Sequence, residues 1–195
     1  ICDVGMLATL SEREFRTGLA EMIKAGVIAD KQLFERLETV TLQDLRTDRD
    51  LLSELVYRAI KVKADIVERD ERESGDRRKL NLGHTLAHAI EKSSSKMNHG
   101  EAVAVGLSLI SEVAVRRGIM AEKDKQRIDN LLTKFGFSLC PPVEVRHLLR
   151  EVKKDKKSEG NQIYIVFPEK IGSCRVEKMA IEDFVECFNK KREIN

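Results

Sequence analysis

Apolar residues recur at helical spacing through most of the chain. Phe15, Leu19, Met22 and Ile23 fall on one face, behind Ser11-Glu12-Arg13-Glu14, which has the form of a capping box: serine at the cap, glutamate three residues on. Gly26 is placed to stop this helix. Asp30 is placed to cap a second one carrying Leu33, Phe34 and Leu37. A long helix from about Asp48 puts Leu51, Leu52, Leu55, Val56, Ala59, Ile60 and Val67 on its buried side and runs into a polar loop, Glu73-Ser74-Gly75-Asp76. Further helices are expected over Thr85 to Glu91, from about His99 to Arg117 and from about Ala121 to Lys134. Gly118 and Gly136 stand where two of them would end, and Pro141-Pro142 opens a short helix through Leu148.

The last fifth changes period. Gln162 to Phe167 is a β-type run, Pro168 to Gly172 a turn, and Cys174-Arg175-Val176 the returning strand. A final amphipathic helix carries Ile181, Phe184, Val185 and Phe188. The expected fold is mainly α, with one small β-hairpin near the C-terminus. Such a hairpin is too small to be a nucleotide-binding sheet, and no glycine-rich phosphate loop opens a βα unit.

Composition narrows the function classes. The chain has 195 residues, 42% hydrophobic and 35% charged, enough apolar matter for a core beneath a soluble surface. Its 35 basic and 33 acidic residues leave a net charge of +2, without the basic excess that nucleic-acid binding normally needs. The uncharged run Ala102 to Ser111 is too short to span a bilayer. None of the four cysteines forms a CxxC pair, which suits a reducing, cytoplasmic setting.

Histidine is the most uneven residue. His84, His88 and His99 lie within sixteen positions, and the first two share one side of a helix at i, i+4 spacing. Imidazole nitrogens are good ligands for zinc and similar ions, and a catalytic metal typically takes three protein ligands. Spacing alone admits all three histidines, two of them with a carboxylate, or merely capping and core histidines satisfied by neighbours. The helix that His99 opens alternates Ala102, Ala104, Gly106 and Ser108 with larger apolar residues and is therefore expected to lie centrally. Glu21 and Lys24 sit off the apolar stripe, and on pattern alone read as an exposed i, i+3 pair. Lys63, Arg77 to Lys79 and Lys153 to Lys157 are either anion-binding groups or solvated surface.

Four segments, in order along the chain, resemble the 3-dehydroquinate synthase family. Gly18-Leu19-Ala20-Glu21-Met22-Ile23-Lys24-Ala25-Gly26 is similar to its GLAExIKxG helix. Leu80-Asn81-Leu82-Gly83-His84-Thr85, with His88-Ala89-Ile90-Glu91, is similar to its most specific motif. His99-Gly100-Glu101-Ala102-Val103 resembles its HGEAV step, and Asp155-Lys156-Lys157 with Ile163 to Gly172 its DKK segment and hairpin. Ala87, where glycine is frequent, and a slightly short loop from Lys92 to Asn98 depart from the pattern.

The resemblance covers the family's helical C-terminal part. It implies that residues 1–10 connect from an N-terminal NAD-binding domain and that 11–195 form the metal- and substrate-binding domain. It implies Glu21, His84 and His99 as ligands of a divalent metal, zinc or cobalt. It assigns Lys24, Lys63, Arg77, Asn81, His88 and Lys156 to substrate, with Lys157 as the alternative to Lys156, and places Met6, Leu7, Ala8 and Thr9 against NAD. The implied reaction converts the sugar-acid phosphate 3-deoxy-D-arabino-heptulosonate 7-phosphate to 3-dehydroquinate and phosphate, a lyase step of the shikimate pathway. The enzyme would be a cytoplasmic homodimer, and this chain alone would not be competent. Other readings are a different sugar-phosphate cyclase, a metal-dependent polyol or alcohol dehydrogenase, and a non-catalytic helical binding module.

Overall fold

A computed structural model describes residues 3–72, 75–156 and 161–189. Among them run nine α-helices: α1 (Glu12–Ile28), α2 (Lys31–Thr39), α3 (Leu42–Thr47), α4 (Arg49–Arg69), α5 (His84–Ser93), α6 (His99–Arg116), α7 (Glu122–Lys134), α8 (Val145–Lys156) and α9 (Ile181–Asn189). Two 3-10 helices, Val4–Thr9 and Asp76–Asn81, and one antiparallel hairpin, β1 (Gln162–Lys170) with β2 (Ser173–Ala180), complete the order.

The helix starts follow from side-chain caps. Ser11 and Glu14 close the capping box at α1, and Asp30 and Asp48 accept from Leu33 N and Leu51 N at the starts of α2 and α4. Each such cap contributes about 1 kcal/mol by satisfying an orphan N–H. A further box, Thr41 with Asp44, starts the short helix α3, which the apolar pattern does not signal because only Leu45 of it is buried.

Several boundaries differ from the sequence reading. Helix α1 passes through Gly26 to Ile28; that glycine is a contact point, where a Cβ would come within 3.0 Å of the Phe34 Cβ on α2. Helix α8 starts at Val145, beyond the proline pair, and is longer than expected. Strand β1 includes Pro168 and runs on to Lys170, across a register irregularity that accommodates the missing N–H. Ile60, expected on the buried side of α4, is 49% exposed, and the core contacts pass instead through Val62 and Ile66.

Helix α6 is the centre of the molecule. Twelve of its residues, from Gly100 to Ala114, are buried. Two glycines let it touch other backbone. A Cβ at Gly100 would overlap Thr17 Cα on α1, and a Cβ at Gly106 would overlap the carbonyl oxygen of Gly83, just before α5. Gly83 itself has φ +76°, and a Cβ there would lie 2.9 Å from Leu107 N. Both partners of that contact thus need glycine, one for its left-handed turn and both for space. Arg13 of α1 adds a two-point ion pair to Glu101 (Nε–Oε1 2.9 Å, Nη2–Oε2 2.7 Å), and Glu101 also caps α6 with Asn98. The hairpin tip is tied to α1 by the Gly172 N–H, which donates to Val27 O at 3.0 Å.

Replacing Gly106 by Ala should therefore lower stability by about 1–3 kcal/mol through overpacking. Gly18→Ala, where nothing lies within 4 Å of the new methyl, should raise it by about 0.5–1 kcal/mol through helix propensity. Urea unfolding midpoints of the two variants check the contrast.

Candidate metal and substrate site

The backbone contacts of α6 bring three distant side chains to one point. Glu21 lies one turn beyond Thr17 on α1, His99 is the neighbour of Gly100, and His84 follows Gly83. Their ligand-type atoms all lie within 4.8 Å of one another, the one such group found among the described residues. Glu21 Oε1 is 3.7 Å from His84 Nε2 and 3.5 Å from His99 Nε2.

Hydrogen bonds determine which atoms face inward. His84 Nδ1 lies 3.2 Å from Leu82 O, a carbonyl that can only accept, so Nδ1 carries the proton. His99 Nδ1 lies 3.0 Å from Glu91 Oε1, which likewise accepts. In the neutral rings both Nε2 atoms therefore present lone pairs to Glu21 Oε1, which is itself buried without a hydrogen-bond partner. Three acceptors converge with no proton among them, an arrangement a cation would satisfy. Tetrahedral zinc with bonds of ~2.0–2.1 Å separates its ligand atoms by roughly 3.4 Å, close to the two Glu21 distances. One carboxylate and two imidazoles are a donor set suited to such an ion.

Electrostatics agree. Burial pushes His84 down to about 4, with the nearby Lys24 charge acting in the same direction, so the ring is neutral at pH 7. Burial pushes the Glu21 carboxyl up, but the charge and hydrogen bond of Lys24, joined by the two imidazoles when acid protonates them, outweigh it, and the net shift is downward. Lys24 is 6% exposed, so the expectation of a solvated Glu21–Lys24 pair is corrected. Its ammonium donates to Leu80 O at 2.9 Å and lies 2.7 Å from Glu21 Oε2. Burial lowers the Lys24 pKa, Glu21 opposes the shift, and Lys63 adds to it.

A cleft of about 660 Å³ opens from this point. Its walls include Glu21, Lys24, His84 and His99, the polar side chains of Lys63, Arg77 and Asn81, and an apolar surface to which Leu7, Met22, Ile28 and Val56 contribute. His88 is exposed, and its ring centroid is 5.7 Å from that of His84; it stands outside the three-ligand group, so the all-histidine alternative is set aside. Met6 is 63% exposed, and of the Met6 to Thr9 segment Leu7 lines the cleft. The side chain of Lys156, and all of Lys157, lie outside the described residues.

Sequence reading passed over two supporting residues. Asp70, at the end of α4, accepts from Gly75 N at 2.7 Å and Arg77 N at 2.9 Å, folding the Arg77 segment back over the cleft. Glu91 holds His99. Aspartate after a helix and glutamate within one are common in so charged a chain, so neither position stands out in the pattern.

Residues 18–158 match the family described as 3-dehydroquinate synthase C-terminal. A 3-dehydroquinate synthase of Dictyoglomus thermophilum is 39% identical over 191 residues, 96% of this chain and 54% of that protein. One from Pelobacter propionicus is 41% identical over 188 residues, 95% and 52% respectively. The chain spans about half the length of these curated relatives. Among solved structures, ValA, a 2-epi-5-epi-valiolone synthase from Streptomyces hygroscopicus with NAD+ and Zn2+ bound, matches with TM-score 0.82 and 26% identity over 96% of this chain and 53% of that one. A 2-deoxy-scyllo-inosose synthase complexed with carbaglucose-6-phosphate, NAD+ and Co2+ shares the fold, with TM-score 0.75 and 19% identity over 95% and 53%.

The depressed His84 pKa makes a prediction for the metal-free protein. The fold favours the neutral ring, so its contribution is present above the ordinary pKa of 6.5 and is lost as pH falls from there toward 4, where the unfolded chain takes up the proton first. At about 1.4 kcal/mol per pKa unit, the loss amounts to about 3 kcal/mol. Urea unfolding in chelator at pH 7 and pH 4 should show wild type losing more stability than His84→Gln by roughly that amount. Equal losses would overturn the assignment.

Proposed function

The chain belongs to the 3-dehydroquinate synthase C-terminal family, and on that premise we propose that it is the metal- and substrate-binding part of a 3-dehydroquinate synthase. The reaction would convert 3-deoxy-D-arabino-heptulosonate 7-phosphate to 3-dehydroquinate and phosphate. The observation that carries the proposal is the meeting of Glu21 Oε1, buried and unpartnered, with the inward lone pairs of His84 and His99. These three would hold a zinc or cobalt ion, supplying Lewis-acid chemistry that lowers the pKa of a substrate hydroxyl and favours its oxidation.

The chain's own side chains do the rest. Lys24 keeps Glu21 ionised and fixes its free oxygen toward the imidazoles. Lys63 and Arg77 bring positive charge to the cleft wall, fitted to a carboxylate and a phosphate, and Asn81 adds an amide for hydroxyls. We assign His88, exposed beside His84, to the outer end of the substrate, and Lys156 to the same ligand from α8. Fixing a flexible sugar acid between such groups can lower a barrier by several kcal/mol.

No parallel sheet is present among the described residues, so these residues do not themselves build a dinucleotide fold. NAD would be held chiefly by a domain preceding this one, with residues 1–10 as the connection and Met6 to Thr9 touching the nucleotide. The near-balance of charge supports a site for small molecules rather than nucleic acid. No helix among the described residues is long and apolar enough to cross a membrane. We place the whole enzyme in the cytoplasm as a homodimer.

The likeness to ValA favours a second reading, another sugar-phosphate cyclase. A substrate panel on the protein joined to an NAD-binding domain separates the two. Turnover of the heptulosonate phosphate supports the first reading, and turnover of only a heptulose phosphate that lacks the carboxylate supports the second. In the same protein, His84→Ala should abolish metal retention and reduce turnover below detection. Wild-type metal content in that variant, read by atomic emission, would refute the ligand assignment.

A further inference from the structure

We infer that Glu91 is the positioning residue that sets the tautomer and aim of His99, and with them the metal affinity of the site; the inference rests on the metal reading above. Glu91 and His99 lie on different helices, α5 and α6, eight residues apart across the 94–98 link. Glu91 Oε1 is 3.0 Å from His99 Nδ1. A carboxylate can only accept, so it holds the proton on Nδ1 and leaves the Nε2 lone pair facing Glu21 Oε1, 3.5 Å away. His84 is held differently, by a backbone carbonyl that substitution cannot easily remove. His99 is also the more exposed ring, its side chain 43% accessible against 15% for His84. Packing therefore restrains it less, and its orientation falls chiefly to one hydrogen bond. A partly exposed histidine without such a partner would sample both tautomers and several ring orientations, and each sampled state that turns the lone pair away weakens binding. Removing partners of this kind typically costs 10–100-fold in metal affinity.

The test uses Co2+ alone as the probe, titrated into the full chain and followed by its visible absorption, with nitrogen NMR of labelled histidine in the metal-free protein. Wild-type His99 should carry its proton on Nδ1. Glu91→Leu, which keeps a good helix former at a half-buried site, should shift His99 toward the Nε2–H tautomer and raise the Co2+ Kd by about 10–100-fold. Glu91→Gln, whose side-chain carbonyl can still accept, should retain the tautomer and lose about tenfold or less. Circular dichroism confirms that each variant is folded. Unchanged Kd in folded Glu91→Leu overturns the inference, as does weakened binding with the tautomer unchanged. Failure of wild type itself to take up Co2+ overturns the metal reading, and the role of Glu91 with it.

Discussion

The site depends on how closely three stretches of backbone approach one another. Helix α6 meets α1 at Gly100 and the turn before α5 at Gly106, and neither contact leaves room for a methyl group. Side chains alone seldom hold groups from distant parts of a chain to within half an ångström, because each adds its own rotamers. Backbone-to-backbone contact removes that slack. With Thr17 against Gly100, the next turn of α1 delivers Glu21 beside His99; with Gly83 against Gly106, His84 arrives from the other side. The Arg13–Glu101 pair closes the same corner. Partly exposed, it contributes little energy of its own, but its two-point geometry adds registry.

This precision is spent on an arrangement that opposes folding. Buried Lys24, the ionised Glu21 and a His84 ring held neutral are each costly to desolvate, and three acceptors face one another without a proton between them. The apolar core around α1, α5 and α6 offsets that cost. Local unfavourable chemistry maintained by favourable packing elsewhere is the usual mark of a functional site. Lys24 couples the two halves of the problem, since one ammonium both holds Glu21 Oε2 and binds Leu80 O of the segment that carries Arg77 and Asn81.

Most of the helical frame is legible in the sequence because its starts are written in side chains: Ser11 with Glu14, Asp30, Asp48. What escapes is tertiary. Gly26 has the composition of a stop signal and serves as a contact with Phe34. Helix α3 has too few apolar positions to show a period, and Ile60 fits the period of α4 yet faces the cleft. The same holds at the site. Spacing brings out the histidines because they are rare, but it cannot tell His88 from His99, since a ligand is defined by what lies across from it. Glu21 looks like surface until α4 and the Leu80 segment are seen to enclose Lys24. The family resemblance points to these residues through motifs, and the geometry supplies the physical reason that the motifs alone do not.

The cleft wall also carries an unbalanced charge. Lys24, Lys63 and Arg77 set three cations against the single carboxylate of Glu21. Lys63 lies near enough for its charge to lower the pKa of Lys24. A divalent ion would increase the excess, so metal and cations together make a site whose field is relieved only by an anion of more than one charge. The sugar-acid phosphate proposed above would meet that condition, whereas a neutral polyol would leave it unmet. Apolar residues in the same lining, Met22, Ile28 and Val56, exclude water from part of the cleft and so weaken its screening of that field. The charge excess thus follows from where the cations stand around the ligand point rather than from any one of them, and it gathers at the point where the backbone contacts of α6 bring Glu21, His84 and His99 together.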